Sequence, residues 1–350
     1  MTYGEITLSE INSQPQVWAQ ALSLFEKQVD EAVAFWEQNN FEQVIFTGCG
    51  STYYLGVIGA TVLQEATGTP ARAYSASELM LFPQTNFDRT RKTLLVCVSR
   101  SGTTRETVEA ARLFRQNGAG SIAVVTCQSD SPLAQNADLL LAIDAGQEQS
   151  RVQTRSFSSM AVIITALAAA LGGQEWQRLK TLPHTLDTLL TGSADLMRQL
   201  GEDLSISRFV FLGSGAQYGL ATEAMLKMTE MTRIPSVSYH ILEFLHGPRY
   251  ASDANTLVVG LVSDSVYAEE VKALHGAAFR KARVLALADT DQGTGLADFH
   301  FPLLLKSGIP EWGRTILYLP PLQMLCFHQA IQRGFNPDNL PFDPHDAVTS

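Results

Sequence analysis

VIFTGCGSTYYLGVIGATVLQE (residues 44–65) and FVFLGSGAQYGLATEAMLKMTE (residues 209–230) fall into register when the chain is shifted by 165 positions. Each stretch joins an apolar run, a Gly-x-Gly turn and a segment of helical periodicity, a pattern typical of a strand–turn–helix unit. Six residues are identical in this register: Phe46 and Phe211, Gly48 and Gly213, Gly50 and Gly215, Tyr53 and Tyr218, Leu55 and Leu220, and Glu65 and Glu230. The alternative, a chance likeness of two such units, is disfavoured because further strand-like runs follow each stretch in the same order.

Those runs are short, rich in Val, Ile and Leu, and apolar on both faces, as expected for parallel strands covered by helices on both sides. They occupy residues 44–48, 93–98, 121–127 and 139–144 in the first half, and 209–213, 256–262, 283–289 and 301–305 in the second. The sequence therefore predicts an α/β protein with two similar doubly wound, flavodoxin-like lobes of parallel sheet flanked by helices. The predicted segments are an N-terminal helical segment at 1–40, a first domain at 41–190 and a second at 200–350.

Composition excludes several classes of protein. The 350 residues carry a net charge of −10 and no long basic run, which argues against a nucleic-acid partner. The longest apolar run, residues 160–171, is too short to span a bilayer, and the N-terminus is too polar for a signal peptide. The four cysteines form no C-x-x-C pair; Cys97, Cys127 and Cys326 are expected to be buried, in a reducing compartment. We expect a cytoplasmic protein with no membrane partner.

VSRSGTTRETVEA (residues 98–110) follows an apolar run and opens a helix, and it carries more hydroxyl groups than a helix cap requires. A loop at the carboxyl end of a parallel strand presents free N–H groups to an anion, and Ser99, Ser101 and Thr104 add side-chain donors. A bound phosphate monoester explains the surplus; an ordinary helix cap is the alternative. The second half has VSDSV (residues 262–266) at the equivalent place, without glycine. Only the first lobe is therefore expected to bind an anion.

GCGST (residues 48–52) is a second Gly-rich turn, expected to bring Ser51 and Thr52 to the same ligand. It does not complete G-x-G-x-x-G, since position 53 is Tyr, and Ser99 stands where a dinucleotide site needs an acidic residue. A dinucleotide site is therefore rejected, and no cofactor is expected. Cys49 is interpreted as a packed turn residue.

EAMLKMTE (residues 223–230) places Glu223, Lys227 and Glu230 on one helical face. A solvated row of salt bridges is the ordinary interpretation of such a pattern, but the intervening methionines and leucine favour a partly apolar site suited to acid–base chemistry. Downstream, His246 precedes Gly-Pro and is expected in a turn, where an imidazole can move protons near neutral pH. Neither His240 nor His246 has metal-ligand spacing to other ligands, so no metal is predicted.

Taken together, these motifs resemble those of SIS (sugar isomerase) domains. The likeness covers roughly residues 40 to 340, and AGQEQSRVQTRSF (residues 145–157) adds to it. The chain is similar to the isomerase half of glutamine–fructose-6-phosphate amidotransferase and to the related glucosamine-6-phosphate deaminases and fructosamine-6-phosphate deglycases.

The resemblance implies a role for each matching residue. Glu230 would be the base that moves a proton between C1 and C2, supported by Lys227 and Glu223. His246 would open the sugar ring, donated across a homodimer interface. The implied sugar-phosphate contacts are Gly50, Ser51, Thr52, Ser99, Arg100, Ser101 and Thr104, with Arg151, Gln153 and Thr154 lining the sugar pocket. Arg100 stands where the amidotransferase has an uncharged amide, which predicts an extra phosphate contact.

Two departures from the family narrow the expected reaction. Residue 2 is Thr2 rather than cysteine, with no room for a glutaminase domain before Val44, so no glutaminase activity is expected. Many relatives also carry a lysine near their end, whereas here Lys306 is the last lysine and Asp346 or Ala347 takes that place, with His345 as a candidate substitute. We therefore expect an amino-sugar or amine-linked sugar 6-phosphate to be isomerised with loss of ammonia or amine. A plain aldose–ketose isomerase and a non-catalytic phosphosugar sensor are the alternatives.

Overall fold

The computed structural model describes residues 3–118, 120–293 and 295–339. Its contacts divide the chain into two compact lobes. Of the described residues, the first lobe contains those within 13–149 and 155–183, and the second contains those within 3–12, 150–154 and 184–339. The candidate tail positions His345, Asp346 and Ala347 lie outside the described residues.

Ten strands and twelve α-helices alternate along the described chain. The strands are β1 (Gln43–Gly48), β2 (Ala71–Ser75), β3 (Thr93–Ser99), β4 (Gly120–Thr126), β5 (Leu139–Ala142), β6 (Arg208–Gly213), β7 (Val237–His240), β8 (Thr256–Leu261), β9 (Arg283–Ala288) and β10 (Phe301–Leu304). The helices are α1 (Glu5–Asn12), α2 (Gln14–Asn39), α3 (Ser51–Thr67), α4 (Ala76–Leu81), α5 (Pro83–Asn86), α6 (Arg105–Asn117), α7 (Arg155–Leu171), α8 (Leu182–Glu202), α9 (Ala216–Thr232), α10 (Tyr267–Ala278), α11 (Glu311–Arg314) and α12 (Leu319–Gln332).

The two sheets have the same topology. The first runs β2-β1-β3-β4-β5 and the second β7-β6-β8-β9-β10, with all pairs parallel. This is the flavodoxin-like strand order, which confirms the predicted fold class and the internal repeat. Each sheet has one strand more than the sequence predicted, because β2 and β7 are edge strands whose side chains are mostly half-buried or exposed and do not form an apolar run.

Burial explains why the central elements form where they do. All seven residues of β3 and all six of β8 are buried, as the apolar runs require. The helix α6 buries Thr107, Ala110, Ala111 and Phe114, the spacing of one apolar face, and turns its charged residues to solvent. The long helix α7 is buried along almost its whole length.

The topology places the ends of the helices as well as the strands. In each lobe, a short Gly turn connects the first strand to a helix, and the next strand lies parallel to the first. The helix between two parallel strands must therefore run from the carboxyl edge of the sheet back to its amino edge. The start of α9 therefore lies at the carboxyl edge of the second sheet, and its end lies at the amino edge.

Candidate active site

The loop that follows β3 turns its carbonyl groups toward the protein. Arg100 accepts a hydrogen bond from the Cys127 N–H (3.1 Å), and Gly102 accepts one from the Leu133 N–H (3.1 Å). Because a trans peptide points its N–H opposite to its C=O, the N–H groups of Ser101 and Thr103 are directed away from these partners. The Ser101 N–H thus points to the free side of the loop, whereas the Thr103 N–H donates to Ser101 Oγ (3.3 Å).

The hydroxyl groups of this loop bond to the loop and do not cap the helix. Ser99 Oγ accepts the Gly102 N–H (3.1 Å) and lies 3.3 Å from Thr104 Oγ1, while Ser101 Oγ accepts from the Thr103 N–H and hydroxyl. Thr104 is the N-cap residue of α6, yet its side chain makes no capping hydrogen bond. The alternative that these hydroxyls serve as a helix cap therefore loses its support.

The Gly-rich turn after β1 lies beside this loop because β1 and β3 are neighbours in the sheet. Thr52 Oγ1 accepts the Cys49 N–H and donates to the Cys49 carbonyl, both at 2.9 Å. Its hydroxyl is thus used to close the turn that opens α3, whose N-cap is Gly50. Ser51 is buried next to it. Burial raises the pKa of the half-buried Cys49 thiol, which fits its interpretation as a packed turn residue.

Arg100 turns its side chain to a carboxylate that sequence reasoning did not single out. Its Nη1 lies 3.8 Å from Glu148 Oε2; the arginine side chain is 24% exposed and that of Glu148 is fully buried. Glu148 lies within the motif at residues 145–157. The signal that could have identified it is the charge of Arg100 in a loop of hydroxyl groups, because a partly buried cation needs a counter-charge nearby.

Glu223, Lys227 and Glu230 form one buried ion cluster on α9. Lys227 Nζ lies 3.2 Å from Glu223 Oε1 and hydrogen bonds to Glu230. Glu223 and Lys227 are buried, whereas the Glu230 side chain is 24% exposed. The interpretation as a solvated salt-bridge row is wrong, and Glu230 is the member of the cluster that reaches solvent.

The two carboxylates shift the pKa of the buried lysine. Burial by itself lowers the pKa of Lys227, but the charges of Glu223 and Glu230 outweigh it and hold the pKa above its ordinary value. Lys227 therefore stays a cation at all physiological pH values and acts as a fixed charge, not as an acid or base.

Residues 150–154, which include those expected to line the sugar pocket, belong to the second lobe. Gln323 Nε2, on α12, donates to the carbonyl of Thr154 (3.4 Å), and Cys326, one turn further on, lies 3.9 Å from the carbonyl of Ala224 on α9. Thr154 is buried and Arg151 is exposed. The Oε1 atom of Gln153 is buried and receives no hydrogen bond from the described residues.

His246 is not brought to the ion cluster of its own lobe. It ends a short 3₁₀ turn (Glu243–His246) soon after β7, so it lies toward the carboxyl edge of the second sheet, and it is exposed. Glu230 lies near the end of α9, at the amino edge. The two residues therefore lie toward opposite edges of the second sheet.

The second lobe fills the position equivalent to the anion loop with its own carboxylates. Glu311 accepts the N–H groups of Asp264 (2.8 Å) and Ser265 (3.2 Å), and Glu270 accepts that of Ser263 (2.6 Å). These two carboxylates accept hydrogen bonds from the same backbone N–H groups that an anion would need. This agrees with the expectation that only the first lobe binds one.

The remaining cysteines are structural, as predicted. Cys97, Cys127 and Cys326 are buried and free. Burial raises the pKa of the Cys97 thiol to about 12, so a thiolate does not form there at neutral pH. Among the described residues, no group of three or more His, Cys, Asp or Glu side chains is arranged to hold a metal ion; the absence of a metal stays a prediction.

Comparison with known proteins places these features in context. The family model described as SIS domain matches residues 39–171 and 205–332. A glutamine–fructose-6-phosphate aminotransferase (isomerizing) of Thermococcus kodakarensis is 27% identical over 349 residues, covering 96% of this chain and 56% of that protein. One from Pseudomonas aeruginosa is 28% identical over 369 residues, with 96% and 57% covered. The chain thus spans little more than half the length of these curated relatives.

Solved structures share the fold over nearly the whole chain. A glucosamine-6-phosphate deaminase from Thermotoga maritima has a TM-score of 0.79 at 25% identity, with 96% of this chain and 98% of that chain covered. A tagatose-6-phosphate ketose/aldose isomerase from Escherichia coli has a TM-score of 0.87 at 24% identity, with 98% and 99% covered. None of the helices in the described ranges is long and apolar enough to cross a membrane. With both lobes matched by the same family model, the chain belongs to the SIS domain family and carries two SIS domains.

Proposed function

We propose that the protein is a phosphosugar isomerase that releases ammonia or an amine from an amino-sugar 6-phosphate or an amine-linked sugar 6-phosphate. The observation that carries this proposal is the ion cluster of α9, in which a fixed cation holds one partly exposed carboxylate, Glu230. Its counterpart is the donor-rich loop after β3, which is suited to a phosphate. The deaminase from Thermotoga maritima, similar over almost the whole chain, supports the choice of substrate class.

Glu230 would act as the proton carrier. It takes the proton from C2 while the C1 oxygen gains one from solvent, and the C–H electron pair becomes the C1=C2 double bond of an enolamine. Glu230 then returns its proton to C1, which leaves an imine at C2. Water hydrolyses this imine to a ketone, and ammonia or the amine departs. The Lys227 ammonium orients the Glu230 carboxylate throughout.

Several of the other predicted residues have a place in this scheme. Ser99, Ser101, Thr104 and the α6 N–H groups would bind the phosphate, with Gly50 and Ser51 beside them. The buried Gln153 Oε1 suits a sugar hydroxyl as its donor. His246 would act from a second copy of the chain, since its own lobe separates it from Glu230. A homodimer and a cytoplasmic location are parts of the proposal.

Plain aldose–ketose isomerisation is the second candidate, and it needs the same proton transfer without loss of an amine. The similarity to a tagatose-6-phosphate ketose/aldose isomerase supports this candidate at the level of the fold alone. A phosphosugar sensor would need the phosphate loop but not the ion cluster.

The test is turnover of a panel of sugar phosphates, including glucosamine 6-phosphate, fructose 6-phosphate and tagatose 6-phosphate, with detection of ammonia and of the isomer formed. Glu230→Gln should abolish turnover and leave the affinity for the phosphosugar within about threefold, because the phosphate anchor is untouched. Glu65→Gln is the matched control, since Glu65 occupies the same repeat position on the exposed part of α3.

The outcomes separate the three functions. Ammonia release that requires Glu230 supports the deaminase, and interconversion without ammonia supports the plain isomerase. Tight binding with no turnover of any sugar in the panel would establish the sensor and overturn the proposal.

A further inference from the structure

The carboxylate of Glu148 contacts two other parts of the first lobe, the start of α7 and the loop after β3. Its Oε1 accepts the Arg155 N–H (2.8 Å), and its Oε2 accepts the Ser156 hydroxyl. The same Oε2 lies 3.8 Å from Arg100 Nη1 in the phosphate loop. The side chain of Glu148 is fully buried, so its charge cannot be compensated by water.

These contacts close the base of the segment Gln149–Thr154. Glu148 directly precedes the segment, and it accepts the N–H of Arg155, which directly follows the segment. Both ends of the segment are therefore fixed to one carboxylate. The Arg155 guanidinium adds a second closure, because its Nε (2.9 Å) and Nη2 (2.5 Å) donate to the carbonyl of Gln147. The closed segment contains Arg151, Gln153 and Thr154, the residues proposed to line the sugar pocket.

The contact between Glu148 and Arg100 links the closed segment to the phosphate loop. The Arg100 guanidinium lies within 4 Å of the Glu148 carboxylate, and its own side chain is three-quarters buried. A buried ion pair that loses one partner leaves an uncompensated charge, which costs far more than the pair itself contributes. Arg100 is therefore oriented by Glu148, and Glu148 depends on Arg100.

We propose that Glu148 is a positioning residue of the candidate site. One carboxylate fixes the Arg100 guanidinium at the phosphate loop and holds closed the segment that carries Gln153 and Thr154. This inference rests on the proposed function in so far as a sugar phosphate is the ligand. The competing interpretation is a purely structural ion pair with no influence on ligand binding.

The test compares wild type with Arg100→Gln, Glu148→Gln, the double variant, and Glu270→Gln as the matched control. Glu270 is also buried and also accepts a backbone N–H, but in the second lobe, outside the site. Calorimetry with inorganic phosphate and with glucosamine 6-phosphate separates the anchoring of the phosphate from that of the sugar. Urea unfolding reports whether Arg100 and Glu148 are coupled.

We expect Glu148→Gln to weaken glucosamine 6-phosphate binding about tenfold or more and inorganic phosphate binding by only about threefold, because inorganic phosphate is affected only through the orientation of Arg100, whereas the sugar also loses the position of its lining segment. Arg100→Gln should weaken both ligands together. Glu270→Gln should change neither affinity. The double variant should be more stable than Arg100→Gln alone, because it no longer buries the Glu148 carboxylate without the charge of Arg100.

Equal losses for both ligands in Glu148→Gln, or affinities unchanged from wild type, would overturn the positioning role. Should Glu148→Gln fail to fold, Glu148→Asp keeps the charge, is one methylene shorter, and should show the same selective loss of sugar affinity. If no phosphosugar binds the wild type, the proposed function fails; additive stability effects of Arg100→Gln and Glu148→Gln would independently reject the coupling on which this inference depends.

Discussion

Lys227 is a full positive charge inside the second lobe, and its presence there is explained by its two neighbours. An isolated buried ammonium would lose its proton, but Glu223 and Glu230 reverse that tendency and raise the pKa. Met228 and Met231 are buried on the same helix, so little water competes for the charges. The cluster is thus held together by its own charges, and Glu230 is the member that reaches solvent.

Removing the cation alone should be severely destabilising. Lys227→Met leaves the buried Glu223 carboxylate without its counter-charge, and we expect a loss of about 3–5 kcal/mol in the free energy of unfolding. The double variant Lys227→Met/Glu223→Gln should recover part of that loss. Urea unfolding of the two variants measures the difference; equal stability of the single and double variants would contradict the cluster as described.

The pH dependence of the cluster follows from the sign of the shift. Because the folded-state pKa of Lys227 is raised, its contribution to stability is complete below the ordinary lysine value of 10.5 and is lost only as the pH rises through the higher folded value. The stability difference between wild type and Lys227→Met should therefore be constant from roughly pH 7 to 10 and shrink above that. A difference that already falls between pH 7 and 9 would show that Lys227 is not held as a cation.

At the scale of elements, the loop after β3 is shaped by contacts with the segment that follows β4. Gly102 has φ +63°, and a Cβ there would lie 2.0 Å from the Ser131 Oγ. This close approach brings the Gly102 carbonyl to the Leu133 N–H and turns the loop donors outward. Glycine is required here both by its backbone conformation and by the space available.

Gly102→Ala should therefore cost more than its backbone conformation alone explains. Gly118 has a similar φ of +65° with nothing within 4 Å of an added Cβ, so Gly118→Ala isolates the conformational cost of about 1 kcal/mol. We expect Gly102→Ala to lose at least about 2 kcal/mol more, and inorganic phosphate affinity to fall in this variant alone. Thermal unfolding and calorimetry measure the two effects; equal behaviour of both variants would reject a loop shaped by Ser131.

At the scale of the whole molecule, the two lobes share a topology but differ in what their loops hold. In the first lobe the loop after β3 hydrogen bonds largely to its own hydroxyl groups, whereas Glu311 and Glu270 accept the N–H groups of the equivalent loop in the second lobe. The second lobe also carries Glu230 and His246 toward opposite edges of one sheet. Leu242 and Tyr250, on either side of His246, are exposed apolar side chains, a composition that suits a contact with another copy.

Complementation tests whether two copies share their sites. Glu230→Gln and His246→Ala should each be inactive, whereas their co-expression should restore about one quarter of wild-type activity, since half the dimers are mixed and each has one intact site. The same proteins expressed separately and unmixed are the control. No recovery in verified mixed dimers would place His246 and Glu230 of the same chain in one site.

Local patterns were enough to predict much of this protein. The shift of 165 residues, the buried runs and the Gly turns predicted two flavodoxin-like lobes, because strand and helix periodicity are properties of neighbouring residues. The hydroxyl-rich loop and the row Glu223, Lys227, Glu230 were also visible, since each lies within one turn and one helix. The edge strands β2 and β7 were missed because an edge strand is only partly buried and needs no apolar run.

Tertiary structure alone decided which charges are buried and which segments come together. Spacing on α9 could not distinguish a solvated row from a closed cluster, because burial depends on α12 packing from a hundred residues away. Sequence patterns also could not reveal that Glu148 contacts Arg100, or that residues 150–154 belong to the second lobe. The sequence determines periodicity and turn chemistry locally, whereas the partner of a buried charge is set by contacts between distant parts of the chain.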